Sequence, residues 1–294
     1  MAANSIEKPF FYQFTDALDE RPLGSASWLP IMAAAYFVSL TALKPFAGAT
    51  WLQKPLKYFA VVNNALMCVY STWAFVAVAA ILAQNWSNAG YSVKAPFCDT
   101  QRDLLKTMDY QLYIFYLSKY WEWIDTWVLV LKGKPVWPPA NSQFFLHVFH
   151  HATTATVGWL AWRQELTVAW VGPLTNAFVH MLMYGYYTIV TVVPSAQKFG
   201  IYITPVQIFQ FMLCLTSFAP EAIDSVLNGG SACGATKRCS AWMLFAYITY
   251  LFFFVKMFAD KKKSRRAAKA AAAGTTAATA VPATPAQKEM LKKD

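Results

Sequence analysis

Seven long apolar runs constrain this chain more than any other feature. They cover roughly residues 27–47, 58–83, 111–131, 142–162, 166–193, 202–219 and 240–258. Crossing a bilayer takes about 20 largely apolar residues at 1.5 Å rise each, and the runs are of that size, the sixth being the shortest. Composition agrees. Hydrophobic residues make up 57% of the chain and charged residues 14%, where a soluble domain carries about 25% charge. The pattern predicts an all-α polytopic membrane protein with seven transmembrane helices. Pro205 suits the first turn of the sixth, where a missing N–H costs nothing, and Gly172-Pro173 predicts a kink in the fifth. Residues 267–286 are rich in Ala, Thr and Pro without an aromatic anchor, which predicts disorder. The organisation read from this is an N-terminal segment 1–26, a helical domain 27–258, and a basic, disordered tail 259–294.

The net charge of +10 is localised and does not indicate a nucleic-acid partner. Nine Lys and Arg from Lys261 to Lys293 oppose only Glu289 and Asp294, so the tail carries +7 and the rest +3. A basic cluster directly after an apolar run marks the cytoplasmic side. Lys44, Lys54, Lys57, Lys132, Lys134 and Lys198 fall on that side if there are seven spans. Lys94, Arg102, Lys106, Arg163, Lys237 and Arg238 fall opposite, mostly beside acids. The tail decides the orientation: C-terminus cytoplasmic, N-terminus across the membrane. No cleavable signal peptide is evident, so the first span would direct insertion. Cys98, Cys233 and Cys239 then lie in lumenal loops, where disulfides form. Cys98 with Cys233 is the expected pair and Cys239 the rival partner, since sequence alone does not fix connectivity. Asn85-Trp86-Ser87 matches a glycosylation acceptor on the same side, very near the second span.

The polar residues inside the runs carry the chemistry. Among 15 acidic residues, only Glu122 and Asp125 lie well inside a run, and Lys119 is the one clearly interior base. Each ionised group at the bilayer centre costs about 3 kcal/mol even on lenient scales. At 100° per residue the three fan over one side of a helix and can share an interior. An ion pair that only pins packing would explain Lys119 and Glu122 but not Asp125. The chain has four histidines. His147, His150 and His151 stand at i, i+3 and i+4 on one helical face, with Gln143 one turn earlier. Asn176, His180, Met183, Tyr184 and Tyr187 form a second stripe, and Gln207 and Gln210 a third. A lone buried histidine is usually a satisfied core residue; four on two facing stripes are a site.

H-x-x-H-H resembles the histidine boxes of di-iron membrane desaturases and hydroxylases, but such a centre needs about eight nitrogen ligands, more than four histidines supply. A single Zn or Fe on three His and a carboxylate stays open. The other chemistry uses neutral imidazole as nucleophile and base, which a low-dielectric cavity favours. A seven-helix transporter or receptor would use Lys119, Glu122 and Asp125 as an ion path but leaves the histidine cluster without a purpose.

Four motifs in register resemble one family. K-x-x-E-x-x-D-T (Lys119 to Thr126), H-x-x-H-H (His147 to His151), N-x-x-x-H-x-x-M-Y-x-Y-Y (Asn176 to Tyr187) and T-P-x-Q-x-x-Q-F (Thr204 to Phe211) are similar to those of the ELO very-long-chain fatty acid elongases. The resemblance runs from about residue 28 to 258. It implies six helices in a closed bundle around a substrate tunnel, with the first helix outside, in the endoplasmic reticulum membrane. It implies a 3-ketoacyl-CoA synthase that joins a long-chain acyl-CoA to malonyl-CoA and releases carbon dioxide and CoA, with no cofactor and no metal. Gln143 and Met183-Tyr184-Gly185-Tyr186-Tyr187 resemble the branch acting on polyunsaturated chains.

On this resemblance His150 forms an acyl-imidazole, and His180 acts on the malonyl half. Asn176 and Gln207 donate to the thioester oxygen, while Glu122, Asp125 and Lys119 orient the histidines, His147 and His151 among them. Gln143, Tyr184, Tyr187, Gln207 and Gln210 line the substrate path, and Lys132 and Lys134 meet CoA phosphates or merely flank the membrane. Two reductases and a dehydratase complete the cycle as partners, and self-association is left open. Many members end in a dilysine retrieval signal; here Lys292-Lys293-Asp294 is one residue out of register.

Overall fold

A computed structural model describes residues 18–92, 94–100, 103–134, 142–163, 166–229, 231 and 233–279. Among the described residues every regular element is a helix. We label the long ones α1 (Trp28–Leu43), α2 (Thr50–Asn88), α3 (Asp109–Trp121), α4 (Trp123–Leu131), α5 (Ser142–Trp162), α6 (Val171–Val192), α7 (Gly200–Asn228) and α8 (Lys237–Thr279). Each apolar run of the sequence falls on one of these, the third on α3 and α4 together.

Side-chain packing closes the helices into a ring. Helix α2 lies along α6, α6 along α7, and α3 along α5, while α2 also meets α3. Phe211 and Phe218 of α7 pack on Tyr247 of α8, and Phe149 of α5 packs on Tyr250 of α8. The circuit is therefore α2, α3/α4, α5, α8, α7, α6 and back to α2. Helix α1 stays outside it, on α4 and α5. There Tyr36 and Leu40 bury against Trp123, Val130 and Val148, and the Tyr36 hydroxyl donates to Thr126 at 2.9 Å.

The exterior is apolar as well. Val62, Leu66, Val69 and Val76 of α2 point outward, which suits lipid rather than water. Among the described residues four segments are long and apolar enough to cross a membrane: Trp28–Phe46, Thr50–Asn88, Pro194–Asn228 and Lys237–Ala267. The chain is a polytopic helical membrane protein. Helices α3 and α4 fall outside that group because each alone is short, 13 and 9 residues, and α5 and α6 because imidazole, amide and tyrosine side chains lower their hydropathy.

Several boundaries differ from the sequence reading. The third run is not one helix: it breaks at Glu122, where Asp125 N–H bonds the Glu122 carbonyl at 3.1 Å, three residues back. Tight turns of this kind inside helices often mark functional positions. The kink expected at Gly172-Pro173 is instead a helix start, with Pro173 in the first turn of α6. Conversely, Pro205 is not in a first turn, because α7 begins at Gly200, directly after a 3-10 segment Pro194–Phe199. Where disorder is expected from residue 259, α8 continues to Thr279; alanine, the strongest helix former, fills Ala267–Ala273 apart from one lysine. From Val255 the described residues belong to a second unit, the part of this helix that ends at Thr279.

One end of the ring is tied by covalent and polar links. A disulfide joins Cys98, after α2, to Cys233, before α8, across 135 residues of sequence. Cys239 is buried and takes no part in this disulfide. Thr167 and Ser231 both donate to Glu221, at 2.8 and 3.0 Å. The described residues before α1, which the sequence reading assigned only to an N-terminal segment, are clamped onto α3 and α5. Arg21 pairs with Asp109 at 2.9 Å. The hydroxyls of Tyr113 and Tyr116 donate to the carbonyls of Pro22 and Leu23, and Trp159 donates to that of Gly24. Leu23 adopts φ 59° to present its carbonyl, a conformation uncommon outside glycine.

At the opposite end Gly48 and Gly133 meet, both at φ near 80° (77° and 80°), with a Cβ on Gly133 only 3.6 Å from the Gly48 Cα. The Gly48 N–H caps the Leu131 carbonyl at 2.9 Å, holding the α1–α2 turn on the end of α4.

The clamp gives a stability prediction. Arg21→Ala leaves Asp109 in a poorly solvated site without its cation and should cost about 3 kcal/mol, read as a lower melting temperature of the solubilised protein. Asp109→Asn added to Arg21→Ala should recover part of that loss. A double variant no more stable than Arg21→Ala would remove the ion pair from the explanation.

Candidate active site

The interior of the ring is built around two opposite charges. Lys119 on α3 and Glu122 at the break are 3% and 1% exposed, and their Nζ and Oε1 lie 2.5 Å apart. They are three residues apart, so one turn of helix brings them together. Removing two ions from water costs several kcal/mol each, repaid only with good geometry and further hydrogen bonds. Both receive such bonds or contacts. Lys119 donates to Asn176 Oδ1 at 2.8 Å and lies 4.1 Å over the Phe115 ring. Glu122 Oε1 faces His180 Nδ1 at 3.4 Å. Asn176 and His180 stand one turn apart on α6, so a single helix face meets the pair.

This arrangement assigns atoms. Because Lys119 has only N–H groups, Asn176 must turn its oxygen to the lysine, which leaves its amide N–H₂ as a donor elsewhere. A carboxylate at His180 Nδ1 favours the proton there and leaves the Nε2 lone pair free in the neutral ring. Glu122 Oε2 is buried with no partner among the described residues, as are His147 Nε2 and His151 Nδ1.

A narrow cavity of about 30 Å³ lies alongside, with Lys119, His150, Thr154, Asn176, Gln210 and Tyr250 among its lining. It has room for about two waters. His150 therefore shares a cavity with Asn176 and Gln210, while His180 is tied to it through the ion pair. The rings of His147 and His151 pack at a tilt, 4.2 Å between centroids, and His151 meets His150 at 5.4 Å. The Trp123 indole donates to the His151 carbonyl at 3.2 Å.

Other expected residues stand apart. Asp125 reaches no imidazole, contrary to the sequence reading. It accepts from the Tyr184 hydroxyl at 2.5 Å and from Asn63 Nδ2 at 3.3 Å. Three residues on from Glu122, Asp125 meets α2 and the next turn of α6. Tyr184 still borders the site, its ring 5.4 Å from that of His180. Tyr187 is 39% exposed and lies within electrostatic reach of Asp125 and Tyr184, not of the histidines. Gln207 points to the Met183 sulfur at 3.5 Å, not to the cavity. Lys132 and Lys134 are exposed just beyond α4, about 15 Å along the chain axis from Glu122 at 1.5 Å per residue. The Gln143 side chain lies outside the described residues.

Sequence reasoning missed Asn63, which accepts from the Trp121 indole at 3.0 Å while donating to Asp125. A polar pair, Asn63-Asn64, in the second apolar run was the available signal. It also missed Tyr247, Tyr250 and Thr153, which a tyrosine-rich membrane helix does not single out. Among the described residues, no three His, Cys, Asp or Glu side chains converge as metal ligands would.

A helical membrane bundle holding a histidine-rich polar centre with an adjoining cavity is the class of protein that these features define. The profile of the ELO (GNS1/SUR4) family matches residues 22–270, and the chain belongs to that family. It is similar to fatty acid elongase A of Dictyostelium discoideum, 32% identical over 213 residues, covering 70% of this chain and 73% of the relative. It is 30% identical over 197 residues to very long chain fatty acid elongase 2 of Mus musculus, 64% and 62% of the two chains. Fatty acid elongase 1 of Trypanosoma brucei brucei is 31% identical over 204 residues, 67% and 64% of the two.

Removing the carboxylate tests the centre. Glu122→Gln keeps the shape but strands Lys119 and releases His180, so turnover should fall by about 100-fold. Asp125→Asn, with no imidazole in reach, should lose far less. Side-by-side kcat values for the two purified variants decide this, and equal losses would return Asp125 to the histidine site.

Proposed function

We propose that the protein works in fatty acid elongation as the condensing enzyme, a 3-oxoacyl-CoA synthase joining a long-chain acyl-CoA to malonyl-CoA. The observation that carries the reading is the shared cavity: a candidate nucleophile, His150, and an amide donor, Asn176, line one space, and a second imidazole, His180, is oriented beside it by Glu122. Membership of the elongase family supports the substrate class.

A ring nitrogen of His150 attacks the acyl thioester carbonyl. CoA leaves as the thiol with the imidazole proton, and an acyl-imidazole remains. Malonyl-CoA loses carbon dioxide, and the electron pair of the broken bond becomes an enolate. Its carbon attacks the acyl group and expels the imidazole, which regains a proton; one proton is taken up overall. The Asn176 N–H₂, aimed by Lys119, donates to the oxygen where negative charge develops. His180, with Nε2 free, serves the malonyl half. Gln210 lines the cavity beside them. His147 and His151 pack behind His150, and Lys132 and Lys134 meet CoA phosphates at the mouth. The cavity is too small for an acyl chain, so binding must part its lining.

The finer assignments follow from the same reading. All seven helical segments cross the endoplasmic reticulum membrane, with the N-terminus lumenal and the C-terminus cytoplasmic. The disulfide and the clamp then lie at the closed, lumenal end, and no metal or cofactor takes part. The Met183-Tyr184-Gly185-Tyr186-Tyr187 motif favours polyunsaturated chains, and two reductases and a dehydratase act on the product.

Purified protein given acyl-CoA and malonyl-CoA should form 3-ketoacyl-CoA with ping-pong kinetics, and acyl-CoA alone should release up to one equivalent of CoA. His150→Ala should lose both activities; His180→Ala should lose turnover yet still release CoA. Sequential kinetics with no adduct on a histidine would replace the acyl-enzyme by direct condensation. No 3-ketoacyl product at all would overturn the assignment.

A further inference from the structure

The two histidines of the proposed reaction are held in different ways. His180 is oriented through one ring nitrogen by Glu122. The His150 imidazole receives no hydrogen bond from any described residue. Aromatic rings surround it instead: Tyr250 at 5.0 Å between centroids, and Phe211 and Phe254 each at 6.3 Å. Of these three, only Tyr250 is anchored by a polar bond. Its hydroxyl lies 2.6 Å from Thr153 Oγ1. The direction of that bond is fixed by its neighbours. Thr153 Oγ1 also lies 2.8 Å from the Phe149 carbonyl, which can only accept, so the single threonine proton goes there. Tyr250 is therefore the donor to Thr153.

Thr153 follows His150 by three residues and shares its face of α5. The bond thus ties the α8 tyrosine to the same helical turn that carries the imidazole. Tyr250 is fully buried, and it lines the cavity together with His150. Its ring is wedged among those of Phe149, Phe211 and Tyr247 and lies nearest that of His150.

Resting on the condensing-enzyme reading, we propose that Tyr250 and Thr153 are a positioning pair for His150, fixing the imidazole plane through ring contact while leaving both of its nitrogens unengaged. The chemistry requires that distinction. A nucleophilic imidazole has to present one lone pair to the thioester and release a proton from the other nitrogen. A hydrogen bond from the protein would orient the ring but occupy one of those atoms. A ring packed against it at a tilt orients it and occupies neither. The base, His180, needs only one free nitrogen, and one is what the carboxylate leaves it.

The test uses full-length protein and compares Tyr250→Phe, Thr153→Val, Thr153→Ser and the Tyr250→Phe/Thr153→Val double variant. Wild-type formation of 3-ketoacyl-CoA is measured first, since its absence overturns the function itself and the pair with it. With wild-type turnover in hand, Tyr250→Phe and Thr153→Val should each lower kcat and the rate of CoA release from acyl-CoA alone by on the order of 10-fold. The KM for acyl-CoA and the melting temperature should stay near wild type. The double variant should be no worse than either single, because both remove the same bond. Thr153→Ser should restore most of what Thr153→Val loses. Wild-type CoA release in Tyr250→Phe would overturn the proposal. So would additive losses, or a rise in KM at constant kcat, which would make Tyr250 a wall of the pocket.

Discussion

The buried ion pair of Lys119 and Glu122 is the constraint on which the rest of the structure depends. Two charges almost wholly out of water are tolerated only when further groups share the cost. Here α6 supplies them, Asn176 to the lysine and His180 to the carboxylate. That fixes the rotation of α6 against α3, and with it the face of α6 that looks inward. The long α2–α6 contact and the aromatic seams of α7 and α8 then close the ring around a polar centre that lipid could not accommodate.

The break at Glu122 belongs to the same constraint. Lys119, Glu122 and Asp125 follow one another at intervals of three residues, about 4.5 Å of helical rise each, and so meet successive turns of α6. Lys119 and Glu122 stay with the histidines, while Asp125 joins Tyr184 and Asn63, one turn further along α6. Two polar clusters result, joined through the α6 backbone and the Tyr184 ring. The second cluster holds α2, α4 and α6 together and leaves the first free for chemistry.

Much of this was legible in the sequence. Apolar runs of membrane-crossing length located every long helix, because hydrophobic length is a strong and local signal. Interior charges and the i, i+3, i+4 histidines located the centre, because charges and imidazoles inside apolar runs need a reason. What remained hidden was not local. Nothing in WEWIDT shows that the helix breaks at Glu122, and nothing local shows that Tyr184 and Asn63 stand opposite Asp125. Thr204-Pro205 reads as a helix start, yet the preceding 3-10 segment feeds α7 from Gly200. Alanine and threonine after the basic cluster read as disorder by their lack of anchors, while helix propensity alone extends α8 to Thr279. Arg21, Tyr113 and Tyr116 became a clamp only once the chain before α1 returned to α3.

The division between shell and site explains why hydropathy alone singles out neither α5 nor α6. Helices α1, α2, α7 and α8 present long apolar faces outward and contribute few ionisable groups inward. Helices α3/α4, α5 and α6 are the ones that carry Lys119, Glu122, Asp125 and all four histidines. A helix rich enough in such residues to build a reactive interior is no longer apolar enough to be recognised as membrane-crossing on its own. Its place is set by its neighbours: α5 is covered by α1, α3 and α8, and α6 by α2 and α7. The chemistry is thus located where the sequence looks least like a membrane helix, and the apolar helices exist in part to make that location habitable.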